Sequence, residues 1–153
     1  MTPEYWLMLL ARWLHIVSAT LAVGVPIYVR WVLMPAMTTL DEESRGRLRE
    51  AIAARWRIVV YVLITIFLAT GLYNFLVVAR WRGFTDPQLK FVYHLYFGCK
   101  LLVALTIFFI ASSLVGRSTK LAFIRDNPKR WLLILILLGL FIVLLSNRMR
   151  SIG

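Results

Sequence analysis

The sequence predicts an all-α integral membrane protein, a single transmembrane domain over residues 1–153 that folds as a four-helix up-down-up-down bundle. Hydrophobic residues make up 61% of the chain, well above the share in an ordinary soluble domain. The apolar residues are concentrated in four long stretches, which we interpret as helices because backbone polar groups in lipid must be satisfied within their own segment. Short connections between four such helices favour antiparallel neighbours and hence a simple bundle.

The four predicted spans cover residues 5–29, 58–79, 91–115 and 131–146. About 20 helical residues are needed to cross a hydrocarbon core of about 30 Å, a length that the first three reach and the fourth does not. Between the first two spans, Thr39 and the acidic residues after it predict a helix that begins near Asp41 and continues into the second span. A turn over residues 81–87 and a break at residues 126–128 separate the remaining spans.

The net charge of +11 is distributed unevenly between the two ends of these spans. Eleven basic residues lie in or beside the first and third connections: Arg30, Arg45, Arg47, Arg49, Arg55, Arg57, Arg117, Lys120, Arg125, Lys129 and Arg130. Six lie on the opposite side: Arg12, Arg80, Arg82, Lys90, Arg148 and Arg150. The positive-inside rule therefore predicts a multi-pass protein of the cell inner (plasma) membrane with both termini outside the cytoplasm. This distribution is explained by topology and by contact with anionic membrane lipids, so we expect no nucleic-acid partner.

Two ionisable side chains, His15 and Lys100, lie deep inside apolar spans. At a rise of about 1.5 Å per residue, His15 lies about 15 Å from the start of the first span and Lys100 about 13.5 Å from the start of the third. Both spans run in the same direction, so the two residues are predicted to be level near the midplane. Ionisable residues at this depth cost roughly 2.5–3.5 kcal/mol on insertion scales, which makes them functional candidates by default.

His15 is a candidate axial ligand for haem iron, because a neutral imidazole in an apolar bundle suits a b-type haem. Small residues at positions 18, 19, 22 and 24 leave room for such a group, and Arg12 one turn outward is a candidate partner for a haem carboxylate. His94, about 4.5 Å into the third span, is a candidate second ligand. The alternative for His15 is a hydrogen bond across the bundle to a hydroxyl or carbonyl group.

Lys100 is the candidate catalytic residue, as a proton donor or as a cation that binds an anionic substrate. The alternative is snorkelling, but the midplane is too deep for the amine to reach the head groups without local distortion. The single cysteine, Cys99, excludes an intramolecular disulfide and is interpreted as a packing residue. A phosphate-binding loop, a nucleophile elbow and a His-Glu-x-x-His motif are all absent from the sequence, which argues against the corresponding enzyme classes.

Several of these segments resemble HemJ-type protoporphyrinogen IX oxidases and the related CopD-like copper-resistance membrane domains. The HemJ-like segments are residues 5–30 around Trp13-Leu14-His15, the stretch Tyr96-Phe97-Gly98-Cys99-Lys100, and Arg125-Asp126-Asn127-Pro128. Residues 57–74 look more like CopD-type domains. The resemblance implies a four-helix membrane bundle with haem b bound through His15 and a functional Lys100. The chain departs from the HemJ pattern where Pro128 directly follows Asn127, and where Gly98 and Cys99 replace a tryptophan and a histidine.

The function expected from the sequence is that of a haem-b-binding membrane redox protein, similar to protoporphyrinogen IX oxidase. A porphyrin substrate, a membrane electron acceptor and a second copy of the chain are the candidate partners besides lipid. One alternative is a CopD-like copper-handling or transport protein, with His15 and His94 as metal ligands. Another is an accessory subunit of a larger membrane complex. The methionines at positions 8, 34, 37 and 149 fall near span ends and form no soft-ligand cluster with His15, which disfavours copper.

Overall fold

A computed structural model describes residues 3–82 and 86–151, with side chains described outside 78–82 and 149–151. The described chain is helical, and no strand occurs within it. Its α-helices are α1 (Pro3–Tyr28), α2 (Met34–Ala36), α3 (Glu42–Arg82), α4 (Pro87–Val115), α5 (Ala122–Asp126) and α6 (Pro128–Ser151). A π-helical segment at Val29–Leu33 connects α1 to α2, and short 3₁₀ turns lie at Met37–Thr39 and Thr119–Leu121.

Four helical segments are long and apolar enough to cross a membrane, as the sequence predicts. They cover Pro3–Thr39, Glu42–Val77, Pro87–Val115 and Pro128–Arg148. All four extend beyond the predicted bounds, because a helix does not end where its sequence becomes polar. The largest extension is in α3, where the arginine-rich residues before position 58 continue the same helix. The predicted turn at residues 81–87 falls where α3 ends at Arg82 and α4 begins at Pro87, and its residues 83–85 lie outside the described part of the chain.

The apolar side chains face outward to an extent that a soluble protein does not show. Ile58 on α3, Leu102 on α4 and Leu144 on α6 are 66–68% exposed, although all three lie within apolar helices. Small polar residues are turned inward instead, and Ser18, Thr70 and Ser113 are all buried. This inverted pattern supports the assignment of these helices to a membrane.

The four long helices form a closed ring in which each packs against two others. α1 packs against α3 and α6, and α4 packs against α3 and α6. α4 and α6 meet at a buried cluster of Ile110, Leu132 and Leu135. α6 approaches α1 closely at Gly139, where a Cβ atom would lie 2.7 Å from Cγ2 of Val23. Gly139 therefore sets the distance between these two helices.

The start of α3 agrees with the prediction from the sequence. The Ser44 backbone N–H donates to Oδ1 of Asp41 at 2.8 Å, which caps the helix that begins at Glu42. This hydrogen bond also holds the pKa of the Asp41 carboxyl below its ordinary value. α6 begins at Pro128, where the missing backbone N–H costs no helical hydrogen bond.

Arginine side chains join the helices at one end of the ring. Arg57 on α3 donates from Nε to the carbonyl of Val115, the last residue of α4, at 2.8 Å. Arg49 donates to the Arg125 carbonyl at 2.7 Å, and Arg30 donates to the Lys129 carbonyl. A cation near the last carbonyls of a helix is favourable because it complements the helix dipole. Some of the positive charge that the sequence attributes to topology therefore also connects the helices.

Candidate functional site

His15 lies half-buried on α1 and faces α3. Its Nδ1 atom is 3.1 Å from Oγ1 of Thr70, and its ring centroid is 4.3 Å from that of Phe67. A Cβ atom at Gly71 would lie 3.2 Å from Cε1 of His15, so the glycine allows the imidazole to pack directly on the helix backbone. One turn of α3 thus positions the histidine ring.

The hydrogen bonds of Thr70 determine which nitrogen of His15 carries the proton. The Thr70 hydroxyl donates its one hydrogen to the Ile66 carbonyl at 2.6 Å, in the next turn of the same helix. The oxygen must then accept from His15, so Nδ1 of His15 is the protonated nitrogen. The backbone carbonyl of Phe67 is a further acceptor near the ring. The other ring nitrogen, Nε2, therefore carries a lone pair that is suited to bind a metal ion.

Lys100 lies half-buried on α4, and its positive charge interacts electrostatically with His15. This interaction is consistent with the common depth predicted for the two residues, and their joint role in one site stays a prediction. Among the described residues, the side-chain amine of Lys100 has no carboxylate within salt-bridge distance. An amine that lies inside an apolar ring of helices and has no acidic partner can bind an anionic group or exchange a proton.

His94 lies elsewhere on α4, closer to the end at which this helix begins. It is exposed, its Nδ1 donates to the Lys90 carbonyl of its own helix at 2.7 Å, and its ring contacts the edge of Phe75 at 5.7 Å. Phe75 lies four residues beyond Gly71 on α3, which places His94 about 6 Å further along the helix than His15. This offset agrees in direction with the depth count, and His94 as a second ligand stays a prediction.

Arg12 is exposed on α1 and has no hydrogen-bond or ion-pair partner among the described residues. It lies three residues before His15 on the same helix, so its guanidinium projects from the neighbouring turn. The structure thus leaves it available to a carboxylate from outside the protein, and its predicted role stays a prediction.

His15 supplies the kind of ligand that a b haem requires. Within the described residues, no group of three or more His, Cys, Asp and Glu side chains is placed to hold a metal ion. A b haem requires from the protein only one or two axial ligands, and His15 offers an imidazole whose Nδ1–H is already fixed by a hydrogen bond. His15 is therefore the residue that would hold the haem iron.

Two of the small residues expected to leave room for a haem beside His15 line a cavity that His15 itself does not line. Ser18 and Ala22, two of the small residues noted in the sequence, line an apolar cavity of about 300 Å³. Phe67 also lines this cavity and separates it from His15, which does not. The cavity and the His15–Lys100 centre are therefore adjacent and distinct.

Sequence reasoning did not identify Phe67, Thr70 and Gly71 as the residues that hold His15. Thr70 and Gly71 could have been identified as a hydroxyl residue followed by a glycine inside an apolar helix. Such a pair offers a hydrogen-bond acceptor next to a position without a side chain, where a ring from another helix can pack. The choice between this pair and other serines and threonines depends on how α3 is rotated against α1.

No protein-family model, curated protein or solved structure matches the chain.

Proposed function

We propose that this protein is a haem-b-binding redox protein of the inner membrane, similar to HemJ-type protoporphyrinogen IX oxidases and CopD-like domains. The observation that carries the proposal is the hydrogen bond from Nδ1 of His15 to Thr70. Ligand histidines generally donate their second ring N–H to a protein acceptor, which fixes the tautomer and orients the ring. His15 meets this requirement inside a membrane-crossing helix, with Nε2 left for the iron.

Lys100 has the position expected of a residue that handles substrate. Its charge acts on His15, and no described carboxylate neutralises it. An ammonium group in this environment attracts the carboxylates of a porphyrin substrate and can exchange protons with it. A haem held by His15 would supply the electron-transfer chemistry, for which a membrane electron acceptor is the proposed partner.

The proposed arrangement is an up-down-up-down bundle with both termini outside the cytoplasm. The contacts of Arg57 with Val115 and of Arg49 with Arg125 support it, because they join the start of α3 to the end of α4 and to α5. The eleven basic residues of the first and third connections then lie together on the cytoplasmic side.

Haem and metal analysis of the purified protein tests this function. We expect about one haem b per chain, and we expect Lys100→Met to keep the haem while slowing the oxidation of protoporphyrinogen IX. Lys90→Met is the matched control, because Lys90 is exposed in the first turn of the same helix and is expected to leave the rate unchanged. A colourless protein that binds stoichiometric Cu(I) and never haem would contradict the proposal and favour the copper-handling alternative.

A further inference from the structure

The cavity beside the His15–Lys100 centre lies between the four long helices. Its volume of about 300 Å³ is at the lower end of the range for small-molecule sites. All four long helices contribute apolar walls, for example through Ala22, Ile64, Ala111 and Leu135. Such a space in a membrane protein is suited to an apolar ligand.

The cavity is elongated. Along α3 its apolar lining extends from Ile52 to Phe67, about 15 residues or roughly 22 Å of helix. An apolar space that follows a helix over this length suits an extended hydrocarbon chain. The length also exceeds half of a hydrocarbon core of about 30 Å, so the cavity reaches from one end of the helices to the middle of the membrane. These dimensions match an acyl chain.

The end of the cavity away from His15 is positively charged. Arg45, Arg49 and Arg125 line it, and none of the described residues lining the cavity is acidic. Arg45 is engaged by the carbonyls of Met37 and Leu40. Arg45 also lies 4.0 Å from a carboxylate oxygen of Glu42. The guanidinium groups that this end offers to an anion are therefore those of Arg49 and Arg125, neither of which forms an ion pair among the described residues.

Arg125 has a buried side-chain nitrogen that lacks a hydrogen-bond partner among the described residues. Its Nη2 donates to the Ser118 carbonyl at 2.6 Å, whereas Nη1 is buried and has no hydrogen-bond partner among the described residues. An unpartnered buried donor on a charged group is costly, and buried polar groups normally have a partner. The donation from Arg49 to the Arg125 carbonyl places the two guanidinium-bearing residues side by side.

We propose that this cavity binds one amphipathic anion, with its acyl chain between the four helices and its carboxylate or phosphate on Arg49 and Arg125. A free fatty acid and an anionic phospholipid share this chemistry. The site is separate from the His15–Lys100 centre, since Phe67 lies between them, and binding does not require haem.

Native mass spectrometry of the full chain, delipidated in a neutral detergent, tests the proposal. Palmitate, phosphatidylglycerol, phosphatidylcholine and hexadecanol are added separately. We expect one palmitate or one phosphatidylglycerol per chain, and weaker binding of the uncharged hexadecanol and the zwitterionic phosphatidylcholine. The preferred anion identifies the source of the ligand. Equal binding of palmitate and hexadecanol would refute the anion site.

Substitutions separate the charged end of the cavity from its apolar part. Arg49→Gln should weaken binding of the preferred anion about tenfold, as expected for loss of a charged hydrogen-bond donor, and Arg49→Lys should recover part of it. Arg47→Gln is the matched control, because Arg47 is exposed and pairs with Glu43 outside the cavity. An equal loss in Arg47→Gln would show a nonspecific surface effect and overturn the proposal.

Filling the cavity provides an independent test of the chain-binding part. Ala111→Phe places a large side chain in the cavity and should abolish binding, whereas Ala51→Phe, at an exposed position of α3 outside the lining, should not. Thermal unfolding of each variant establishes that it is folded. Unchanged binding in folded Ala111→Phe would exclude this cavity as the site. His15→Ala should bind the anion as the unsubstituted protein does, which separates this test from that of haem binding.

Discussion

The orientation of the His15 imidazole depends on a single turn of α3. Thr70 accepts the Nδ1–H hydrogen bond, Phe67 packs against the ring, and Gly71 leaves space for it. These contacts leave one ring nitrogen as a proton donor to the protein and the other as a base. A histidine held in this way is preorganised for ligation, because its tautomer and ring plane are fixed before a ligand arrives.

Thr70→Val should weaken this arrangement without changing its shape. Valine keeps the size of threonine and removes the oxygen that accepts from Nδ1 of His15. We expect a loss of about 0.5–1.5 kcal/mol in the free energy of unfolding in detergent, and haem affinity lower by roughly 10- to 100-fold. Thr65→Val is the control, since Thr65 is exposed on the same helix and bonds only the carbonyl of Tyr61. Identical effects of the two substitutions would contradict the role of Thr70.

The sequence predicts a common depth for His15 and Lys100, but it does not identify the residues that contact His15. Both residues interrupt apolar spans that run in the same direction, so counting residues from each span end places them at one depth. Thr70 is different, because it is one of several hydroxyl residues in apolar helices, and most of those bond their own helix. Its contact with His15 depends on the rotation of α3 about its axis, which the spacing of apolar residues in a lipid-exposed helix defines poorly.

At the scale of helices, arginines bind the carbonyls that helix ends leave without partners. The last turn of any α-helix has such carbonyls, and the ends of α4 and α5 receive donors from α3. A long basic helix that begins outside the hydrocarbon can therefore connect three parts of the structure while its arginines stay near the polar surface.

Arg57→Met should destabilise the contact between α3 and α4. The substitution removes the donor to the Val115 carbonyl and keeps most of the side-chain length. We expect a loss of about 1–2 kcal/mol in the free energy of unfolding, measured by denaturation in detergent. Arg55→Met is the control, because Arg55 is exposed on the same helix and should change the stability little. A loss as large in Arg55→Met would mean that charge, and not the helix-end contact, is responsible.

Helix starts were easier to predict than helix lengths. Asp41 and Pro128 mark the starts of α3 and α6 with local chemistry that acts in any context. The apolar composition that defined the second predicted span begins at Ile58, whereas α3 begins at Glu42. An apolar composition indicates which part of a helix can contact lipid. The helix itself continues beyond the apolar part for as long as its residues favour helical structure.

At the scale of the whole molecule, the ring of four helices creates two regions at different depths. His15 and Lys100 lie on α1 and α4 beside α3, and the apolar cavity, which neither residue lines, extends from beside them towards the basic end. The cavity could not be predicted from the sequence, because its walls are residues that would equally well form a packed core. Its existence depends on the distances between all four helices.

The orientation of the molecule in the membrane is tested with reporter insertions. A reporter that is active only outside the cytoplasm should be active when it is fused after Gly153. A reporter that is active only in the cytoplasm should be active when it is inserted after Ser118. This result follows from the eleven basic residues near the first and third connections against six on the other side. Cytoplasmic activity of the reporter at Gly153 would reverse the orientation and leave the helical fold untouched.

The visible spectrum of the purified protein and of its His15→Ala variant tests the central claim most directly. We predict a Soret band in the unsubstituted protein that is lost in His15→Ala, because the substitution removes the imidazole whose Nε2 is left to bind iron. Lys100→Met should keep the band. His94→Ala should convert a low-spin spectrum to high-spin if His94 is the second ligand, and otherwise leave it unchanged. A Soret band of the same intensity and position in folded His15→Ala would contradict the claim.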